Sequence, residues 1–142
     1  MERIPRGEEM TEVLFSIHPN YVKKIISGEK EFEFRKRLLR EKVTQAIIYA
    51  TTPIRKIVAT FDIGEIISGT PTEVWLECKE KSGIDYDSFM KYFKGKDKAY
   101  AYQITNLKVL KDPLDIKLLR PNFIPPQSFS YIDWKRLMLN NM

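Results

Sequence analysis

The period of apolar and polar positions changes along this chain, and each change marks an element. Val13, Leu14, Phe15 and Ile17 form an apolar run that predicts a first strand over Glu12 to Ile17. Tyr21, Val22, Ile25 and Ile26 then recur at helical spacing, with Lys23, Lys24 and Ser27 opposite. Pro19 suits the first position of that helix and Gly28 the position just past its end, so a two-turn helix is expected between them. The period then drops to two. In Lys30-Glu31-Phe32-Glu33-Phe34-Arg35 the phenylalanines share one face and Glu31, Glu33 and Arg35 the other. This predicts a strand from Lys30 with an aromatic face and a charged face. Lys30 has the parity of the phenylalanines. It reaches the charged face only if it still belongs to the turn, where the pleat is not yet established.

Gln45 to Ala50 predicts a third strand, broken by Thr51-Thr52-Pro53. Lys56 to Ser68 is a long β-rich run, with Gly64 at a bulge or bend. Thr70 as cap, Pro71 at the first position and Glu73 three after the cap start a helix that carries Val74, Trp75 and Cys78 and is expected to end near Gly83. A second short helix, capped by Asp85 or Asp87, runs to Phe93 with Phe89, Tyr92 and Phe93 inward, and Gly95 ends it. Ala99 to Val109 alternates as a strand. Pro113, Pro121, Pro125 and Pro126 make residues 112 to 128 a wrapping arm, and Trp134, Leu137 and Met138 predict a C-terminal helix within Ser130 to Met142. Five strands with inserted short helices give an α+β fold, mainly β: a small, curled, antiparallel or mixed β-barrel. Residues 1–11 are polar and read as a flexible tail, with one domain over 12–142.

Composition narrows the function classes. A chain of 142 residues that is 43% hydrophobic has enough apolar surface for one core and is not a disordered chain. A net charge of +5 permits a polyanion partner without requiring one. Its distribution is more informative. Residues 21 to 42 hold eight Lys or Arg against four Glu, which is +4 of the +5. The single cysteine, Cys78, excludes an intrachain disulfide, and with one histidine a structural zinc site is not expected, nor any other metal or cofactor. The first ten residues lack the apolar run of a secretory signal, and no run approaches the roughly 18 residues of a membrane span. The expectation is a cytoplasmic protein with no membrane partner.

The stretch from Gly28 to Arg35 carries the candidate chemistry. Arg35 offers a planar fork that matches phosphate or the acceptor edge of guanine. Lys30 offers a mobile point charge for phosphate. Glu33 either accepts from an exocyclic amine or ribose hydroxyl, or holds Lys30 and Arg35 in place. Lys36, Arg37 and Arg40 extend a phosphate track. Tyr49, Tyr100 and Tyr102 are candidate platforms for an unpaired base, a contact worth about 1–3 kcal/mol. Gln127 and Ser128 place an amide and a hydroxyl at the cleft mouth. Structural readings stand beside these: a surface salt-bridge set, a helix-capping His18, tyrosines that are core and rim, and a buried, inert Cys78 thiol.

Gly28, Lys30, Glu33 and Arg35 fit the G-x-K-x-x-E-x-R signature, and the stretch resembles ASCH domains of the PUA-like superfamily. The likeness extends to Ser16-Ile17-His18-Pro19 leading into the helix, Tyr49-Ala50-Thr51 to Pro53 closing the third strand, Thr70 to Trp75, Tyr92-Phe93-Lys94-Gly95, and Pro125-Pro126-Gln127-Ser128-Phe129. Together these span roughly residues 12 to 132. The resemblance implies a PUA-like barrel with a cleft beside the first helix, and RNA or a modified nucleotide as partner in RNA-linked regulation. It implies ligand-binding roles for Lys30, Glu33, Arg35, Ser16, His18, Lys36, Tyr49, Gln127 and Ser128. The alternative is a hydrolase acting on RNA or a modified nucleoside, with Lys30 and Glu33 catalytic. In hydrolytic members a threonine nucleophile stands three after the lysine. Glu33 occupies that position here, which weakens the amidohydrolase reading but leaves a carboxylate able to activate water. A protein-interaction module is the third class.

Overall fold

Among the described residues, backbone pairing gathers six strands into one mixed sheet. The computed structural model describes residues 12–40 and 42–139, so the expected N-terminal tail lies outside the described residues. In chain order the elements are β1 (Glu12–Ile17), α1 (Pro19–Ser27), β2 (Phe32–Arg35), β3 (Gln45–Ala50), β4 (Lys56–Gly69), α2 (Pro71–Cys78), α3 (Tyr86–Tyr92), β5 (Ala99–Leu114), β6 (Phe129–Ile132) and α4 (Trp134–Leu139). The sheet order is β2-β5-β4-β3-β1-β6. Among the described residues only the β1–β3 pair is parallel; α1 and β2 lie between those two strands in the chain.

The sheet is curled, and one ring shows it. Phe15 on β1 lies three strands from β5. In a flat sheet that is about 14 Å, at about 4.8 Å per strand. Yet its ring lies 6.0 Å from Tyr102 on β5, 6.4 Å from Phe61 on β4 and 6.3 Å from Phe129 on β6. Val13, Phe15, Ile17, Ile48, Phe61 and Tyr102 form the core inside the curl. On the outer face, Leu14, Ile47 and Ile57 pack with Ile116 and Phe123, while Phe34, Ala99 and Ala101 pack under α2 and α3 with Val74 and Phe89. β1 and β3 are thus apolar on both faces, which explains their unbroken apolar runs. The result is a half-barrel whose edges are β2 and β6.

Four boundaries differ from the sequence reading. The charged strand starts at Phe32; Lys30 precedes it and makes an isolated bridge with Ser82. A sixth strand, β6, occupies the start of the expected C-terminal helix, pairing Phe129 to Ile132 with β1. Its four residues are too few for a period to be read. The helix follows only over Trp134–Leu139, where Asp133 accepts from the Arg136 N–H at 3.0 Å. β5 runs on to Leu114, through Pro113, because Leu114 pairs with Ile57 at the strand end. Finally, α2 stops at Cys78, and a 3-10 turn over Lys79–Lys81 delivers the chain to Ser82. The Thr70–Glu73 capping box and the register shift around Gly64 are as expected.

Candidate functional site

The end of α1 sets up the site. His18 caps its start, its Nδ1 accepting from the Asn20 N–H at 3.1 Å. Gly28 ends it with φ +87°, a left-handed turn that glycine adopts without a Cβ clash. The Lys30 N–H then donates to the Lys24 carbonyl at 3.0 Å, which fixes the corner leading into β2. From there the pleat sends Phe32 and Phe34 under α2 and α3, and Glu33 and Arg35 to the mouth of the curl.

Beside α1 and β2 opens a cleft of about 960 Å³. It brings together Ser16, His18, Lys30, Glu33, Arg35, Lys36, Gln127 and Ser128. Its floor is charged and recessed: Lys30, Glu33 and Arg35 are 4%, 6% and 7% exposed. A buried charge persists only where partners replace water, and each of the three has them.

Every N–H of Arg35 has a partner within the protein. Nε and Nη2 donate to the same Glu33 oxygen, Oε2; Nη1 donates to the Ser128 carbonyl and hydroxyl at 3.1 and 2.9 Å; Nη2 also reaches the Ser16 carbonyl at 3.2 Å. The guanidinium lies 4.5 Å from the Phe15 ring centroid. The fork that the sequence offers to a phosphate is turned inward, where it orients Glu33 and ties β1 and β2 to the segment before β6. Glu33 Oε1, by contrast, has no hydrogen-bond partner among the described residues, and no buried side-chain polar atom there is left unpaired; Oε1 therefore keeps contact with the cleft.

The Lys30 ammonium donates once, to the Ser82 carbonyl at 2.9 Å, and sits 4.5 Å from the Phe34 ring centroid and 5.4 Å from that of Tyr21. Two of its three N–H groups are unused. Burial pulls its pKa down to about 8, with Arg35 and Lys24 adding to the shift and Glu33 opposing it. Lys30 and Glu33 line one cavity without forming an ion pair within 4.0 Å. The floor thus offers an unused donor and an unused acceptor to whatever lies between them.

The rim is basic and aromatic. Lys36 Nζ lies 4.4 Å from the Tyr92 ring centroid; Arg40, outside the lining, places its guanidinium 3.9 Å from the ring centroid of Tyr131, which belongs to it. Arg37 and Lys96 complete the rim. Sequence reasoning missed Tyr21, Tyr92, Ser82 and Lys96 as site residues. Tyr21 carries a signal, since it shares α1's apolar face and immediately follows the His-Pro-Asn start; the others are brought in only by the packing of α3 and its flanking turns.

Two tyrosines named as platforms are placed elsewhere. Tyr102 is fully buried: its hydroxyl donates to the Arg37 carbonyl at 2.8 Å and accepts from the Leu39 N–H at 2.9 Å, and burial pushes its pKa up to about 12. It braces the turn after β2 and offers no face to a base. Tyr49 is 3% exposed, packs on Phe123 at 5.8 Å and borders a separate hollow of about 480 Å³ with Thr51, Thr52, Arg55 and Asp115. Tyr100 is half-buried against the inner core. Among the described residues no helix is long and apolar enough to cross a membrane, and no group of three or more His, Cys, Asp or Glu is placed to hold a metal ion.

Comparison with known proteins fits this geometry. The family model of the ASCH domain matches residues 15–113. A Zymomonas mobilis protein described as an ASCH domain-containing ribonuclease is 29% identical over 125 residues, covering 85% of this chain and 84% of that one. The crystal structure of ASCH from Zymomonas mobilis superposes with a TM-score of 0.82 at 26% identity, over 92% of this chain and 95% of that one. The large ribosomal subunit protein uL22 of Ureaplasma parvum is 29% identical over 113 residues, 78% of this chain but 36% of that protein.

Proposed function

We propose that this chain, which belongs to the ASCH domain family, takes an unpaired nucleotide of RNA into the cleft beside α1 and β2. One observation carries the reading. A recessed floor keeps a lysine donor and a carboxylate acceptor unused, and cations and aromatic rings surround its mouth. Lys30 donates to an acceptor atom of the nucleotide while Glu33 Oε1 accepts from an amine or hydroxyl. Tyr92 lends a face to a base, and Lys36, Arg37 and Lys96 meet the phosphates. A base still paired in a duplex does not reach a floor this deep, which argues for single strands. The ribonuclease name of the Zymomonas relative supports RNA over other polyanions.

The test is anisotropy titration of labelled single-stranded and duplex RNA of one sequence. Single strands are expected to bind at least tenfold tighter, and Lys30→Met is expected to remove that preference while the protein stays folded. Equal affinity for both forms sinks the reading.

The same relative favours a second reading, cleavage of the bound strand. In that case Glu33 takes the proton of a ribose 2′-hydroxyl as its oxygen bonds to phosphorus. Lys30 gives a proton to the departing 5′-oxygen as the P–O bond breaks. Incubation of 5′-labelled RNA with wild type and Glu33→Gln distinguishes the two. Products from wild type alone establish cleavage; none from either leaves binding.

A further inference from the structure

We propose that the Ser82–Gly83 turn, some fifty residues from the signature stretch, is the positioning element of Lys30. It places the stem of a core-parity lysine so that the ammonium faces the cleft. Three contacts carry the inference. The backbones of Lys30 and Ser82 form a bridge, flanked by the Glu31 N–H donating to the Lys81 carbonyl at 2.8 Å. Two successive carbonyls of the turn each accept from a lysine: Ser82 from Lys30 at 2.9 Å and Gly83 from Lys24 at 3.1 Å. And the Lys30 stem lies over the bare Cα of Gly83, where an added Cβ would stand 2.4 Å from Lys30 Cβ and 2.8 Å from Cγ.

Glycine at 83 therefore answers two separate demands. Its φ is +66°, which any L side chain resists. Independently, the space its side chain would fill belongs to Lys30. Gly95 offers the contrast: its φ is +80°, but nothing lies within 4 Å of an added Cβ. The Ser82 hydroxyl holds the turn closed: it lies 3.0 Å from both the Lys79 and the Ile84 carbonyl and donates its one proton between them. Gly83 lies against the stem and the ammonium sits 4.5 Å from the Phe34 ring centroid, which holds the side chain at the cleft floor. Around it stand Glu33, Arg35, Lys24, Cys78 and the Tyr21 ring. Burial in that setting is the main cause of the depressed pKa.

The inference bears on the proposed cleft only through Lys30, and it is tested without ligand. The readout is the titration of Lys30 in the full chain labelled at the lysine ε-carbon, followed by NMR. Wild type is expected to titrate near 8. Gly83→Ala is expected to raise the midpoint by a unit or more, as the displaced ammonium meets water, whereas Gly95→Ala, which suffers only the backbone strain, leaves it in place. A folded Gly83→Ala whose Lys30 titrates as in wild type overturns the proposal, as does an ordinary midpoint in wild type. Should Gly83→Ala not fold, Ser82→Ala decides. Loss of the hydroxyl clamp is expected to raise the midpoint by several tenths of a unit, and no change overturns the proposal. A shifted midpoint with unchanged RNA affinity supports the positioning role while removing the cleft reading.

Discussion

Arg35 and Ser128 meet across the open side of the half-barrel. Arg35 belongs to β2, one edge of the sheet, and Ser128 directly precedes β6, the other edge. Nη1 of the arginine donates to both the carbonyl and the hydroxyl of the serine, and that carbonyl also accepts from the Ser16 N–H at 2.9 Å. A side chain thus joins edges that no backbone ladder joins.

This predicts that Arg35 contributes chiefly to stability. Arg35→Met leaves Glu33 buried without its partner, and breaking a buried pair from one side costs about 3–5 kcal/mol. Combining it with Glu33→Gln removes the orphaned charge, so the double variant is expected to lose less than Arg35→Met alone. Ser128→Ala deletes one hydrogen bond to a charged group and keeps the carbonyl, for about 1.5–3 kcal/mol. Urea unfolding of the three variants measures this, and a double variant no better than Arg35→Met refutes it.

Lys30 gives the cleft a pH dependence with opposite signs for binding and for folding. Anion binding needs the ammonium, so RNA affinity is expected to fall as pH rises through about 8. Folding runs the other way. The folded pKa is depressed from 10.5 to about 8, so between those values the unfolded chain binds more protons, and this residue's contribution to stability grows as pH rises through that window. The difference corresponds to about 3 kcal/mol at most. Lys30→Met, which keeps the length and drops the charge, is expected to abolish the pH step in binding and to be no less stable than wild type at pH 7. A binding profile flat from pH 7 to 10 contradicts the assignment.

The rim residues should act uniformly and through salt. Lys36, Arg37 and Lys96 are exposed at the mouth. Each phosphate neutralised adds about 0.7 to the slope of log affinity against log salt for a single strand. Replacing any one by Ala is expected to lower that slope by about that amount, for all sequences alike. Slopes unchanged in all three would place the strand elsewhere.

Much of this was legible in the chain because local rules agreed with the tertiary result. Pro19 and Gly28 bracket α1, Thr70 and Glu73 start α2, and the Glu33–Arg35 alternation fixes which side chains face the mouth. What was not legible depended on distant partners. Four residues of β6 carry no period of their own and become a strand only because β1 offers them an edge. The inward turn of the Arg35 fork follows from Ser128 and Ser16, whose carbonyls the sequence does not place. The alternation gives Lys30 the parity of the phenylalanines, and only the resemblance to ASCH domains implies its place in the site; the Ser82 carbonyl that accepts from it lies 52 positions away.

Tyr102, which the sequence offers as a platform, is a buried brace, and the proposed reading gives the platform role to Tyr92 instead. Tyr92 stands exposed at the mouth with its ring 4.4 Å from the Lys36 ammonium. Burial raises its pKa, with Arg35 opposing and Glu33 adding to the shift, so its hydroxyl is within the electrostatic reach of the floor. Tyr92→Ala is expected to cost about 1–3 kcal/mol of single-strand affinity, the range for one base on one ring. Tyr92→Phe should keep most of it, because stacking needs the face and not the hydroxyl. Tyr102→Phe should behave in the opposite way. It removes the hydroxyl that Leu39 and Arg37 share, leaves the buried Leu39 N–H without its acceptor, and costs about 1–3 kcal/mol of stability. Its effect on RNA affinity should vanish once measured under conditions where the protein is fully folded. Thermal melts and anisotropy on the same samples decide the matter. If Tyr92→Ala binds like wild type while Tyr102→Phe does not, the base lies against the inner wall and the rim assignment fails.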